Sequence, residues 1–287
     1  MYGHDLIEDL NNSELPIIKI NRYELTDSVI RSKMFFMGNP SELIALTAGG
    51  NFLTKSPKDK GDTLREMVFN NFNDDFKIPY QECTFFFYKK IEGITNKDAV
   101  TVCQRDDNSL IVYWFSKTTG QQWIVWPCVA LIDPLKKNIR QQMLSGFKET
   151  FPEKDRNELN GMTKSGTREL ILLVCSSVML LNTKNITTID NPPPAKLNKK
   201  RIKNGKQPLF TYKTLRLQLP AKKRKKGSGP VMPNDNTTRL HLCRGHFKTY
   251  TEEKPLLGRF TGRYWWQPHA RGDKTKGVVM KDYEVKI

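Results

Sequence analysis

His241 and His246 stand in the stretch RLHLCRGHFKTY, residues 239 to 250, and His269 follows in RYWWQPHARGD, residues 263 to 273. Three of the chain's four histidines thus fall within 29 residues. Imidazoles titrate near neutral pH, and a pair of them can act as base and acid on a ribose 2′-hydroxyl and a leaving 5′-oxygen. Arginine beside them stabilises the charge that builds on the phosphate. RNA carries its own nucleophile, so this chemistry needs neither a metal nor a nucleophile from the protein. On that reading His241, His246 or His269 would exchange protons, Arg244 and Arg271 would hold phosphate, and Tyr250 could assist. Histidines and arginines in a basic strand more often contact phosphate without cutting it, so binding alone is the other reading of the same residues. His241, Cys243, His246 and His269 are also metal-ligand types, yet no Cys-x-x-Cys pair or second spaced pair accompanies them. The interleaved arginines disfavour a cation as well, so no metal and no cofactor are expected.

The elements that must position these residues are strands. RLHLCRGHFKTY, LGRFTGRYWWQPHARG and GVVMKDYEVKI have strand composition. In an unbroken strand His241 would face away from Arg244 and His246, because side chains alternate. A bulge at Gly245 would shift the phase and let His241 and His246 share a face. A second strand ending in QPHARG would bring His269 and Arg271 alongside. Tyr264, Trp265 and Trp266 are either a platform for unpaired bases or the packing of this sheet.

Charge points to the same end of the chain. The net charge is +17, but residues 1 to 195 hold 23 Lys and Arg against 24 Asp and Glu, whereas residues 196 to 287 hold 24 against 6. From Lys196 to Lys226 there are 13 basic residues and no acidic one. So concentrated a charge repels itself unless a polyanion is near. Nucleic acid is therefore the first partner to consider, with an anionic membrane surface behind it and plain solubility as the remaining explanation. Lys199, Lys200, Arg201, Lys203, Lys206, Arg239, Arg259, Arg263 and Arg271 are the candidates for phosphate, and Trp265 and Trp266 for bases.

The rest of the chain reads as a scaffold. LTDSVIRSKMFFM and DTLREMVFNNF have amphipathic helical spacing, the first with a cap at Thr26 or Asp27. ECTFFFYKK, AVTVCQ, SLIVYWFSK and QQWIVWPCVALI read as an antiparallel sheet, with RDDNS and SKTTGQQ as its hairpin turns. TRELILLVCSSVMLLNT is apolar all round, as a helix buried against that sheet would be. Pro192 to Pro194 mark a boundary or a stiff connector between an α+β domain, residues 1 to 191, and a basic β-rich segment, residues 192 to 287, that completes the sheet or stands beside it. AKKRKKGSGPVMPNDNTT reads as an exposed loop. The fold class is therefore α+β, an antiparallel sheet with packed helices. Five scattered cysteines suit reduced thiols, no secretory signal opens the chain, and the longest apolar run, Leu170 to Leu181, is 12 residues against the ~20 that a membrane span needs. A soluble cytoplasmic protein with no membrane partner is expected. Glu82, Asp106, Asp107 and Asp133 fall where solvated carboxylates are ordinary, and no phosphate-cradling glycine loop or Ser-His-Asp arrangement stands out.

GKQPLFTYKTLRL, then RLHLCRGHFKTY, then RYWWQPHARG resembles the C-terminal region of a group of uncharacterised phage proteins with an Arg-x-His-x-x-Arg-Gly-His motif and a Trp-x-x-Pro element. More loosely it is similar to the type V-A anti-CRISPR family that suppresses production of the type V effector nuclease by provoking loss of its messenger RNA. The likeness spans about 60 residues in two blocks, and Arg239, His241, Arg244, Gly245, His246, Trp266 and Pro268 are the residues that carry it. It implies a phage or mobile-element protein acting in a bacterial cytoplasm on RNA, including messenger RNA on translating ribosomes. Recognition of a nascent peptide or host protein would depend on the N-terminal part, where this sequence departs most from the pattern. Two functions of other classes remain, a non-catalytic nucleic-acid-binding adaptor and a phage DNA-binding protein.

Overall fold

The computed structural model describes residues 2–48, 78–91, 93–133, 138–218, 239–243, 246–266, 269–271 and 273–278. The expected helix DTLREMVFNNF, the loop AKKRKKGSGPVMPNDNTT and the end of GVVMKDYEVKI lie outside them. The described residues form two compact units, one of residues 1–182 with 187–216 and one of residues 183–186 with 217–287. This differs from a division at Pro192, and the reason is a strand pairing described below.

The first unit is an α+β fold built on one mixed sheet. Four aromatic and β-branched segments form its antiparallel centre: β2 (Glu82–Ile91), β3 (Ile94–Gln104), β4 (Leu110–Thr118) and β6 (Cys128–Asp133), with the short β5 (Ile124–Val125) on β4 and β7 (Asn138–Met143) at one edge. RDDNS turns β3 into β4: Arg105 N–H donates to the Ser109 carbonyl at 2.8 Å, Ser109 N–H to Asp107 Oδ1 at 2.9 Å, and Asn108 takes a positive φ of 62°. On the other side β1 (Lys33–Gly38) pairs parallel to both β2 and β9 (Tyr212–Leu217), and β8 (Ile186–Asn191) closes that edge. Pairing of β9 with β1 therefore draws residues 187–216 into the first unit.

Both faces of the centre are buried, so helices cover both. On one face α1 (Tyr2–Asn12), α2 (Pro16–Arg31) and α4 (Phe147–Thr150) bury Leu6, Leu10, Ile18, Leu25 and Val29 against Phe86, Ala99 and Phe115. On the other α3 (Pro40–Ala48) and α5 (Glu153–Leu181) cover the strands, with Leu170 to Cys175 almost wholly buried. The apolar helix expected near residue 170 is thus the second half of a longer one that passes through Gly166. A Cβ there would stand 3.0 Å from the Trp114 ring, which stacks on Trp126 at 4.3 Å, so glycine is what lets the helix close on the pair. A hydroxyl chain crosses the core, Ser32 Oγ to Thr84 Oγ1 at 2.6 Å and Thr84 Oγ1 to Thr101 Oγ1 at 2.9 Å, so these buried polar groups are satisfied.

One helix differs from the sequence reading. LTDSVIRSKMFFM is not a single helix: α2 begins at Pro16 and ends at Arg31, and KMFFM belongs to β1. Thr26 is inside the helix, its hydroxyl donating to the Arg22 carbonyl at 2.7 Å instead of capping. Ladders on both sides of β1 outweigh a local spacing of Met34 and Met37 that suits a helix equally well. No helix among the described residues is long and apolar enough to cross a membrane.

Burial pushes the Cys83 and Cys103 thiols up to about 12 and raises Cys175 as well. An unfolded thiol titrates near 8.5, so the stability linked to these neutral thiols is fully present below that pH and is lost as pH rises from there toward 12. Denaturation midpoints between pH 8 and 10 should fall, less so in a Cys175→Ala protein, and native protein at pH 8 should leave Cys83, Cys103 and Cys175 unreactive to a thiol reagent until it unfolds.

Candidate nucleic-acid interface

In the second unit β10 (Arg239–Cys243) pairs antiparallel with β13 (His269–Arg271) and parallel with β14 (Asp273–Val278), while β11 (His246–Tyr250) and β12 (Gly262–Trp266) form a separate antiparallel ladder. The register sets His241 opposite Arg271 and Cys243 opposite His269. Directly opposed backbone positions of such a pair lie about 5 Å apart and diagonal ones about 7–8 Å, so the register makes the positions of His241, His269 and Arg271 neighbours on two adjacent strands. Arg239 is in register with Asp273. Arg244 and Gly245, and with them the expected bulge, lie outside the described residues.

His246 does not belong to that ladder. It is exposed on β11, opposite Trp266. Tyr250 is opposite Gly262 at the far end of the same strand, about 13 Å along from His246 at ~3.4 Å per residue, so it does not assist there. Its ring meets Tyr264 edge-on at 5.8 Å and carries the Lys248 ammonium 4.9 Å from its centroid.

Trp265 is packing, not a platform for bases. It is 6% exposed, as is Tyr264, and its ring lies 4.8 Å from that of Phe247. Trp266 is half-buried, and its indole N–H has no hydrogen-bond partner among the described residues. What holds this ladder is a residue the sequence did not single out. The buried Asn185 side chain donates from Nδ2 to the Trp265 carbonyl at 2.6 Å and accepts the Trp265 N–H on Oδ1 at 2.8 Å, acting as one more strand residue. Lys184 N–H adds a bond to the Arg263 carbonyl at 3.0 Å, and its side chain covers Gly262, whose φ of +108° and lack of Cβ permit the approach. No composition or period marks Asn185; only the fold gives it this role. The Arg259 guanidinium lies 4.4 Å from the Phe260 ring centre, Arg263 is half-buried on β12, and Arg271 is exposed.

The remaining candidates are in the first unit, on α6 (Ala195–Lys203), between β8 and β9. None of its residues is buried. Lys199, Lys200 and Lys203 are exposed, as are Lys196 and Lys206, and among the described residues none of the five has a carboxylate partner. Arg201 is half-buried and donates from Nε to the Gln207 carbonyl at 2.8 Å. The helix is pinned by Asn198, whose amide donates to the Leu209 carbonyl at 3.0 Å and accepts the Leu209 N–H at 2.8 Å. The candidates thus fall on two units, a cationic helix on one and a His-Arg register on the other.

Elsewhere the titratable groups serve the scaffold. Burial raises Asp98, opposed by the Trp114 indole N–H that donates to it at 2.9 Å, and raises Glu82, opposed by Arg31 at 2.6 Å. Burial, then the Glu24 carboxylate to which it donates, raises the Tyr113 hydroxyl. Compared with protein-family models, with curated proteins and with solved structures, the chain finds no match in any of the three.

Replacing Asn185 with alanine leaves a buried N–H and C=O without partners, at a cost of about 1–3 kcal/mol. Hydrogen exchange should quicken at Trp265 and along β11, while β2 and β3 keep their protection; unchanged exchange in β12 would remove Asn185 from this role.

Proposed function

We propose that this chain is a phage-encoded regulator that engages RNA in a bacterial cytoplasm, holding phosphates on α6 and Lys206 in one unit and on the basic strands of the other. The observation that carries the reading is the exposed, carboxylate-free run of cations on α6. A helix with no buried residue and no paired lysine gains nothing in folding from that charge, and a polyanion gives it a purpose. The likeness of RLHLCRGH to the phage motif supports the regulatory setting, and with it a target messenger met on translating ribosomes.

A second reading, metal-free cleavage, is favoured by one observation, the β10–β13 register that gathers His241, His269 and Arg271. In that reaction one imidazole takes the 2′-hydroxyl proton, O2′ bonds to phosphorus, the bond from phosphorus to O5′ breaks, and the second imidazole protonates O5′. The products are a 2′,3′-cyclic phosphate and a 5′-hydroxyl. His246, on the other ladder, is not in that register.

Binding to single-stranded RNA should weaken with salt. Six cations, Lys196, Lys199, Lys200, Arg201, Lys203 and Lys206, at about 0.7 per phosphate contribute about −4 to the slope of log affinity on log salt, and phosphates held by the other unit add to it. Replacing Lys199, Lys200 and Lys203 together with alanine should cut that slope by about 2 while leaving the thermal midpoint unchanged. A salt-independent affinity would sink the RNA reading, and equal affinity for duplex DNA would favour the DNA-binding alternative. For the cleavage reading, labelled RNA in EDTA should yield a cyclic phosphate end that a folded His241→Ala/His269→Ala protein no longer makes. Intact RNA with the wild-type protein leaves the adaptor.

A further inference from the structure

A cavity of about 510 Å³ lies in the first unit between the start of α1 and the strands β1, β2 and β9. The registers Phe36 with Phe86, Met34 with Tyr212 and Phe36 with Thr214 put these side chains on one face of the sheet, and Phe210 closes the side. Gly3 makes the roof: a Cβ there would be 2.7 Å from Met34 Sδ, and the end of the Met34 side chain would have to move to admit it. The walls are aromatic, with Phe36 edge-on to Tyr212 at 6.4 Å and stacked on Tyr88 at 5.5 Å. Polar groups are few. They are the Tyr212 hydroxyl, the His4 imidazole, bonded to Asp5 at 2.8 Å, and Thr214 Oγ1, which accepts from Asn191 at 3.1 Å. Apolar walls with a few convergent polar atoms, at this volume, are what small planar ligands occupy.

His4 also lines a second cleft, of about 270 Å³, between α1 and the turn after α6. Arg201 and Lys206 face it, with the amides of Asn11, Asn12 and Gln207 and one carboxylate, Glu8. The bond from Arg201 Nε to the Gln207 carbonyl fixes the guanidinium plane, and among the described residues its terminal nitrogens have no hydrogen-bond or ion-pair partner and can serve an anion. An aromatic pocket that shares a lining residue, His4, with a cationic, amide-lined cleft offers the chemistry a nucleotide needs, whose base is flat and apolar-faced and whose phosphate lies a ribose away. An apolar peptide side chain would use the first cavity and have no need of the second.

We infer that the two cavities take one unpaired nucleotide, its base among Phe36, Phe86, Phe210 and Tyr212 and its phosphate at Arg201 and Lys206. The inference rests on the RNA reading and names what that RNA must present, a base free of its complement. Single-stranded RNA and a free nucleotide share this chemistry.

The test uses the full chain with an eight-residue single-stranded RNA carrying one 2-aminopurine, following anisotropy for affinity and emission for the base. Two variants are compared, Tyr212→Ala, which removes a wall, and Thr214→Leu, which narrows the pocket without opening the core. Binding should change the 2-aminopurine emission, and each variant should weaken affinity by about five- to a hundredfold with the salt slope unchanged. RNA that binds with free-state emission at every labelled position, and equally well to both folded variants, overturns the pocket and leaves the RNA reading standing. If no RNA binds at low salt the RNA reading falls, and 2-aminopurine riboside monophosphate decides the pocket. An emission change lost in Tyr212→Ala assigns it to a free nucleotide, and no change overturns it too.

Discussion

Burial of both faces of β2, β3 and β4 is the constraint on which the rest of the first unit depends. Phe85 and Val100 face one way and Phe86 and Ala99 the other, all at or near zero exposure, so neither side of the sheet tolerates water. Helices must cover both, which is why α5 is apolar all round in its second half and why α1 and α2 pack as a pair. The same demand brings β1 into the sheet as a parallel strand and, through it, β9. The cationic helix α6 is thereby held at both ends by strands of a rigid sheet, so the nearly neutral part of the sequence positions the start of the basic part.

Much of this was legible. The antiparallel centre follows from β-branched and aromatic runs separated by turn residues, and RDDNS turns where Asn108 can accept a positive φ. The buried helix follows from LILLVCSSVMLL. What failed was local ambiguity: SKMFFM fits a helix as well as a strand, and only its two neighbours decide. A proline run such as Pro192 to Pro194 marks a boundary or a stiff connection but says nothing about which sheet the next strand joins, and here β9 joins the first.

The candidate site was half legible. The pairing of HAR, residues 269 to 271, with HLC, residues 241 to 243, is the return of one short strand beside another, and it sets the positions of His269 and Arg271 next to that of His241. The placing of His246 on another ladder could not be read, because which strand each of RLHLC and HFKTY pairs with is decided by the fold and not by their own composition. Trp265 shows a similar limit. An aromatic residue in a basic strand has the same composition whether it stacks on a base or on Phe247, and burial alone tells them apart. Asn185 had no signal at all, since its work is done on backbone 80 residues away.

The pair of bonds between Asn198 and Leu209 closes residues 198 to 209 into a loop with a fixed waist. A loose basic tail must surrender conformational freedom when it meets a polyanion, about 1–2 kcal/mol for each backbone residue that it orders. Here that freedom is given up when the protein folds, so the lysines of α6 meet a ligand as a preset array. Such a surface discriminates by spacing as well as by charge, favouring anions whose intervals match one face of a two-turn helix over those that offer only the same total charge.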